Sequence, residues 1–218
     1  MLATWRASRA ACGICGHPVN MIRTMNKLSR SDLFALERYA AERPGFRARV
    51  IAHKKTRNVA LGPHILLLFE DRLTVQYQVQ EMLRIERIYE AAGIQQELDA
   101  YNPLIPDGSN LKATMLFEFP DPTVRAERLA QFAGLEHRVY AEVHGQSHIV
   151  AHADEDLTRS GAGKLAAVHF LRFEFPTEAI AALREGADLS FGVDDPRLSV
   201  RVQTAAETCA LLLADFRS

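Results

Sequence analysis

The sequence predicts an α+β protein in which an N-terminal helical region packs on an antiparallel-rich sheet made of two βαββ repeats. Three observations carry this. The tetrapeptide Phe-Glu-Phe-Pro occurs at Phe117 to Pro120 and again at Phe173 to Pro176. Each copy is followed by the same order of elements, a short helix and then a hairpin. Between about residues 25 and 110, apolar residues recur instead at helical spacing.

In the repeat, Lys112 to Phe119 and Val168 to Phe175 read as strands, in which alternate residues share a face. Met115, Phe117 and Phe119 correspond to Leu171, Phe173 and Phe175, and these are expected core positions. His169 falls on the same side and reads as a core histidine. Proline ends each strand, and Thr123 to Phe132 and Thr177 to Leu183 form the short helices. Val143 to Val150 matches Val193 to Val200 as hairpins, with His144-Gly145-Gln146-Ser147 and Asp194-Asp195-Pro196-Arg197 at the turns.

The opposite strand faces carry Glu118 and Glu174. If the two strands are neighbours, these carboxylates approach across a pseudo-symmetric surface. Such a pair suits acid/base chemistry, while Lys112 and Arg172 offer plain ion-pair partners.

Upstream, Ser29 followed by Asp32 and then Leu33, Leu36, Tyr39 and Ala40 marks a capped amphipathic helix. Pro44-Gly45 is expected to interrupt it. An arginine-rich helix then covers Phe46 to Arg57, with Phe46, Val50, His53 and Arg57 on one stripe. His64 to Phe69 reads as a buried strand, and Asp71 as a cap for the next element. Arg72 to Ala92 alternates like a strand at Leu73, Val75, Tyr77 and Val79, yet its lack of Gly and Pro favours a long helix. On that helix Val75, Val79, Met82 and Leu83 form the apolar face, and Glu86 and Glu90 project with them. A further helix spans Ile94 to Tyr101 before Asn102-Pro103.

Two inward carboxylates must be paired, protonated or bound to a cation, because a buried lone charge costs several kcal/mol. One solution is a salt bridge to Arg47, Arg49 or Arg57. The other is a polar site in which His53, Glu86 and Glu90 converge, with Arg57 as charge partner or gate. A nitrogen-and-oxygen ligand set of that kind suits iron, manganese or zinc, and burial also suits it to proton transfer.

Composition sets the outer bounds. With 218 residues, 48% hydrophobic and 24% charged, the chain can bury a sizeable core, and no apolar run reaches the roughly 18 residues of a membrane span. Residues 1–58 hold 12 Lys and Arg against 3 Asp and Glu, a balance of +9 that leaves −10 for the remainder of a chain with net charge −1. Opposite blocks can dock on each other. No stacking-aromatic pattern or nucleic-acid motif accompanies the basic part, so a nucleic-acid partner is not expected. Three cysteines make no disulfide framework, and no secretory signal precedes them; the expected location is the cytoplasm.

Residues 1–24 lack apolar periodicity and read as a disordered leader. Cys12 and Cys15 in it have the spacing of half a zinc knuckle, without a second half. The expected layout is therefore leader, helical region 25–110 and duplicated region 111–218 with a C-terminal helix, residues 25–218 forming one compact domain.

His53-Lys54-Lys55, the segment Phe69 to Arg87 and Glu97 through Thr114 resemble a bacterial family known only as a domain of unknown function, over about residue 27 to the C-terminus. Members are often encoded beside rubrerythrin-like and iron-sulfur oxidoreductase proteins. The resemblance thus implies a redox or oxidative-stress setting and a redox protein as partner; it supplies no catalytic residues. Two functional expectations stand: a redox-linked accessory protein with an internal His/Glu metal or proton-transfer site, or a non-catalytic protein-interaction module.

Overall fold

A computed structural model describes residues 27–154 and 166–217. The leader with Cys12 and Cys15 lies outside the described residues. The chain runs α1 (Leu36–Lys55), β1 (Asn58–Ala60), β2 (Ile65–Phe69), α2 (Arg72–Glu86), α3 (Ala91–Tyr101), β3 (Asn110–Phe117) and α4 (Pro122–Gln131). It continues through β4 (Val139–Val143), β5 (Ile149–Val150), β6 (His152–Ala153), β7 (Val168–Glu174), α5 (Thr177–Arg184), β8 (Leu189–Asp195), β9 (Leu198–Gln203) and α6 (Ala206–Leu213). Among the described residues no helix is long and apolar enough to cross a membrane.

The strands form two antiparallel sheets rather than one. The order is β1-β2-β3-β7-β6 in the first and β5-β4-β8-β9 in the second. Each repeat therefore gives its first strand to one sheet and the strand after its helix to the other. β3 pairs with β7 and β4 with β8, copy against copy. The offset from Phe117 to Phe173 is also the offset from Thr114 to its strand partner Phe170, which puts a local two-fold axis at that pair. In the second sheet an equivalent relation holds with the hairpin offset, since Val143 to Val193 and Ala141 to its strand partner Phe191 are each 50 positions apart.

The alternation expected of the repeat strands accounts for the core. Met115, Phe117, Phe119, Leu171, Phe173 and Phe175 are all buried in one cluster. Rings from both sheets meet there: Phe69 lies 4.8 Å and Phe173 5.4 Å from Phe191, centroid to centroid. Stacked sheets must interdigitate apolar faces in this way to exclude water.

The helical region is not separate from the sheets, because the β1-β2 hairpin extends the first sheet through Ile65↔Phe117 and Phe69↔Ala113. Asp71 caps α2 by accepting from the Thr74 amide at 2.9 Å. Pro44 does not end α1, which continues through it to Lys55. Proline there removes one backbone bond and strains a turn. The helix is held on both sides of it by Tyr39 and Phe46, which pack in one aromatic cluster with Val50 and Tyr77. α2 itself lies between two apolar clusters, Val75, Val79, Met82 and Leu83 facing α3 and Tyr77 facing α1.

Candidate functional site

Among the described residues, several polar clusters interrupt the apolar interior, and two of them bring a histidine together with carboxylates. The first lies where the end of α1, the β2-α2 junction and the chain after α6 meet. Arg57 is 2% exposed, so its guanidinium must find acceptors inside the protein. It donates to the carbonyls of Phe69 at 3.2 Å and Leu211 at 3.3 Å, and it pairs with the Asp215 carboxylate. Asp71 Oδ2 lies 3.6 Å from Arg57 Nε and 2.5 Å from His53 Nε2. Glu70 beside them accepts from Thr74 at 2.5 Å and Thr114 at 2.7 Å. Burial pushes the Asp215 carboxyl up to about 6, against the opposing pull of Arg57.

Of the residues singled out from sequence, His53 and Arg57 therefore do share a site, but Glu86 and Glu90 are absent from it. Both glutamates are exposed. The projection fails because α2 stops at Glu86: Arg87 adopts a left-handed conformation with φ 54, and Glu90 becomes the cap position of α3. Arg84, Ile85 and Glu86 form a last turn that outruns the packed face. Glu97, raised by burial and by the charge of Glu86, marks where Glu86 acts.

The inward carboxylate of α2 is Glu81, fully buried. It accepts from Tyr39 Oη at 2.7 Å and Arg43 Nε at 2.7 Å, with Arg84 at 3.3 Å. Burial alone would raise its pKa; these donors outweigh it and hold the group at about 2. Glu81 is thus answered by Arg43, while the salt bridge expected of Glu86 and Glu90 with Arg47, Arg49 or Arg57 does not arise, because both glutamates are exposed. The signal available in the sequence was the spacing Tyr39/Arg43 against Tyr77/Glu81, each one helical turn apart.

Glu118 and Glu174 do not approach each other. Antiparallel pairing sets Glu174 opposite Asn110, at the other end of the strand pair from Glu118. Glu118 is exposed, and Glu174 is satisfied by Ser109 at 2.5 Å, Asn110 at 3.2 Å and Arg172 at 2.6 Å.

The second cluster joins Glu136, Asp154 and His169, whose ligand atoms all lie within 4.8 Å of one another. His169 is on the core-facing side of β7, as its alternation demands, and is 4% exposed. Its Nε2 lies 3.0 Å from the Ala166 carbonyl, its Nδ1 2.7 Å from Asp154 Oδ2 and 3.8 Å from Glu136 Oε1. Asp154 follows β6 with φ 51, a left-handed conformation that few residues besides Gly, Asn and Asp adopt. Its Oδ1 accepts from the Phe170 amide at 3.0 Å, which fixes Oδ2 toward the imidazole. Sequence reasoning passed over this trio because its members come from a single 3-10 turn (Leu135–Arg138), the bend just after β6 and a core strand. Only the fold brings them together.

Residues 27–216 match a family described as Protein of unknown function (DUF3501). The chain belongs to the DUF3501 family. A crystal structure described as a novel protein of unknown function from Burkholderia pseudomallei is 48% identical, with a TM-score of 0.84. That likeness covers 88% of this DUF3501 chain and 100% of the other. No curated protein matches the sequence.

Proposed function

We propose that this protein is a redox-linked accessory protein whose helical half carries an internal proton-transfer site at His53, Asp71, Arg57 and Asp215. The observation behind this reading is the charge count of that cluster. Two carboxylates face one permanent cation, and the histidine that hydrogen-bonds Asp71 at 2.5 Å completes the balance only when the cluster takes up a proton. A raised Asp215 carboxyl places that exchange near neutral pH, where a group is of most use as acid and base in turn. His53 and Asp71 keep some exposure, with side chains 27% and 18% accessible, so the proton has a path to solvent, while Arg57 at 3% anchors the inner end.

The redox setting rests on the family resemblance, in which members are encoded beside rubrerythrin-like and iron-sulfur oxidoreductase proteins. NMR titration of the His53 ring and the Asp215 carboxyl tests the site. The expected result is a carboxyl midpoint near pH 6 for Asp215. A carboxyl titrating in the ordinary range near 4 would reduce the cluster to a fixed ion pair. The accessory role predicts that an iron-sulfur oxidoreductase encoded beside the gene binds this chain, as calorimetry can measure.

A further inference from the structure

We propose that Glu136, Asp154 and His169 form a binding site for one divalent transition-metal ion of the manganese, iron or zinc class. The site is distinct from the proton-transfer cluster and does not depend on it. The orientation of His169 is the first argument. With Nε2 donating to the Ala166 carbonyl, a neutral imidazole turns the Nδ1 lone pair toward two carboxylate oxygens. Asp154 Oδ2 and Glu136 Oε1 stand 2.7 and 3.8 Å from Nδ1, a gathering that a positive charge, a proton or a metal ion, holds together. A backbone carbonyl fixing the far ring nitrogen is also how protein sites set the tautomer of a ligating histidine.

Charge is the second argument. The Asp154, Glu136 and His169 side chains are only 8%, 5% and 5% accessible. Two carboxylates beside a histidine nitrogen attract a dication strongly where water is largely excluded.

Size agrees as well. Ligand bonds of roughly 2.0–2.2 Å at tetrahedral or octahedral angles separate donor atoms by roughly 3–3.5 Å; here Nδ1 stands 2.7 and 3.8 Å from the carboxylate oxygens and all three atoms lie within 4.8 Å, close enough for one ion to draw them together. One imidazole nitrogen with two carboxylate oxygens is a donor set for manganese, iron or zinc rather than for a soft thiophilic ion.

The duplication supplies a third, separate argument. By the repeat offset, the position equivalent to His169 is Ala113, which lies buried opposite Phe69 in the apolar core. The scaffold is therefore complete without a histidine at this point of the strand. The polar trio is an addition to one copy, held in place by a left-handed Asp154. Such strain gathers at functional sites.

The test uses the full chain purified without a histidine tag, stripped with chelator and titrated with Mn²⁺ while free ion is followed by EPR. The same titration is repeated with Zn²⁺, and with Fe²⁺ under anaerobic conditions, retained metal being counted by mass spectrometry. One ion per chain is expected, with affinity falling at least tenfold in Glu136→Gln and in Asp154→Asn. In the wild-type chain, substoichiometric Mn²⁺ is expected to broaden the His169 ring signals before any other histidine. That measurement stands even where a variant fails to fold. Absence of retained ion for all three metals overturns the proposal and leaves a protonated His169 ion triad. Binding unchanged in both variants, or broadening centred on another histidine, overturns it equally, and none of these results bears on His53 and Asp215.

Discussion

At the scale of single residues, two buried carboxylates carry pH dependence of opposite sign. Glu81 is held at about 2, below its ordinary 4.5. The ionised form is favoured by folding, so its contribution is full above about pH 4.5 and is lost as pH falls toward 2. Asp215 is raised from 3.8 to about 6. Folding favours its protonated form, so its contribution is full below 3.8 and is lost as pH rises through 6. At 1.36 kcal/mol per unit, each is of the order of 3 kcal/mol. Asp215→Asn is therefore expected to keep stability at pH 7 undiminished and to remove the decline between about pH 4 and 6 from urea titrations. Glu81→Gln is expected to lower stability at pH 7 by about 3 kcal/mol and to flatten the loss below about pH 4.5. Reversal of these two results would show that the ion pairs, not desolvation, are misassigned. The residues chosen from sequence explain the difficulty: a helical projection placed His53 correctly because α1 runs on to Lys55, while Arg57 reaches the same site from the bend just beyond the helix end. Projection misplaced Glu86 and Glu90 because no pattern announces a left-handed arginine.

At the scale of elements, the ends of helices decide most of what the sequence leaves open. α2 stops on Arg87 at φ 54, a conformation glycine adopts without penalty. Arg87→Gly is expected to stabilise the protein by about 1 kcal/mol, raising the thermal midpoint by roughly 2 to 4 °C; a fall in the midpoint would mean that the exposed Arg87 side chain makes a contact of greater worth. Strands with clean alternation, β2, β3 and β7, were legible, as was the Asp71 cap. The continuation of α1 through Pro44 was not, because tertiary contacts from Tyr39 and Phe46 outweigh a local propensity. Nor was the second cluster, whose donors come from three elements separated by up to 33 positions (Glu136 to His169), two of them too short to show a period.

At the scale of the whole molecule, the repeat organises the core, and its two-fold relation gives a direct test. Phe117 and Phe173 occupy equivalent positions, 6% and 0% exposed. Replacement of either by Ala is expected to cost about 3–5 kcal/mol in denaturant titrations, similar for both. A loss under about 1 kcal/mol at one of them would separate the copies energetically. Duplication was readable from the tetrapeptide alone, but the division into two sheets was not, since the same alternation serves a strand in either. What the repeat does not duplicate is chemistry: the trio with His169 belongs to one side of the axis, where Ala113 stands on the other.

The short run from Ile149 to Ala153 pairs first with β4 in the second sheet, through Tyr140↔Val150, and then with β7 in the first, through Ala153↔Leu171. It acts as a stitch between two fabrics. Sliding one sheet across the other must tear its hydrogen bonds on one side or the other, so a load applied across the sandwich should be borne by this run first. In a single-molecule pulling experiment the two layers are then expected to yield in one rupture, and a proline at Ile149 or Ala153 to split that rupture into two.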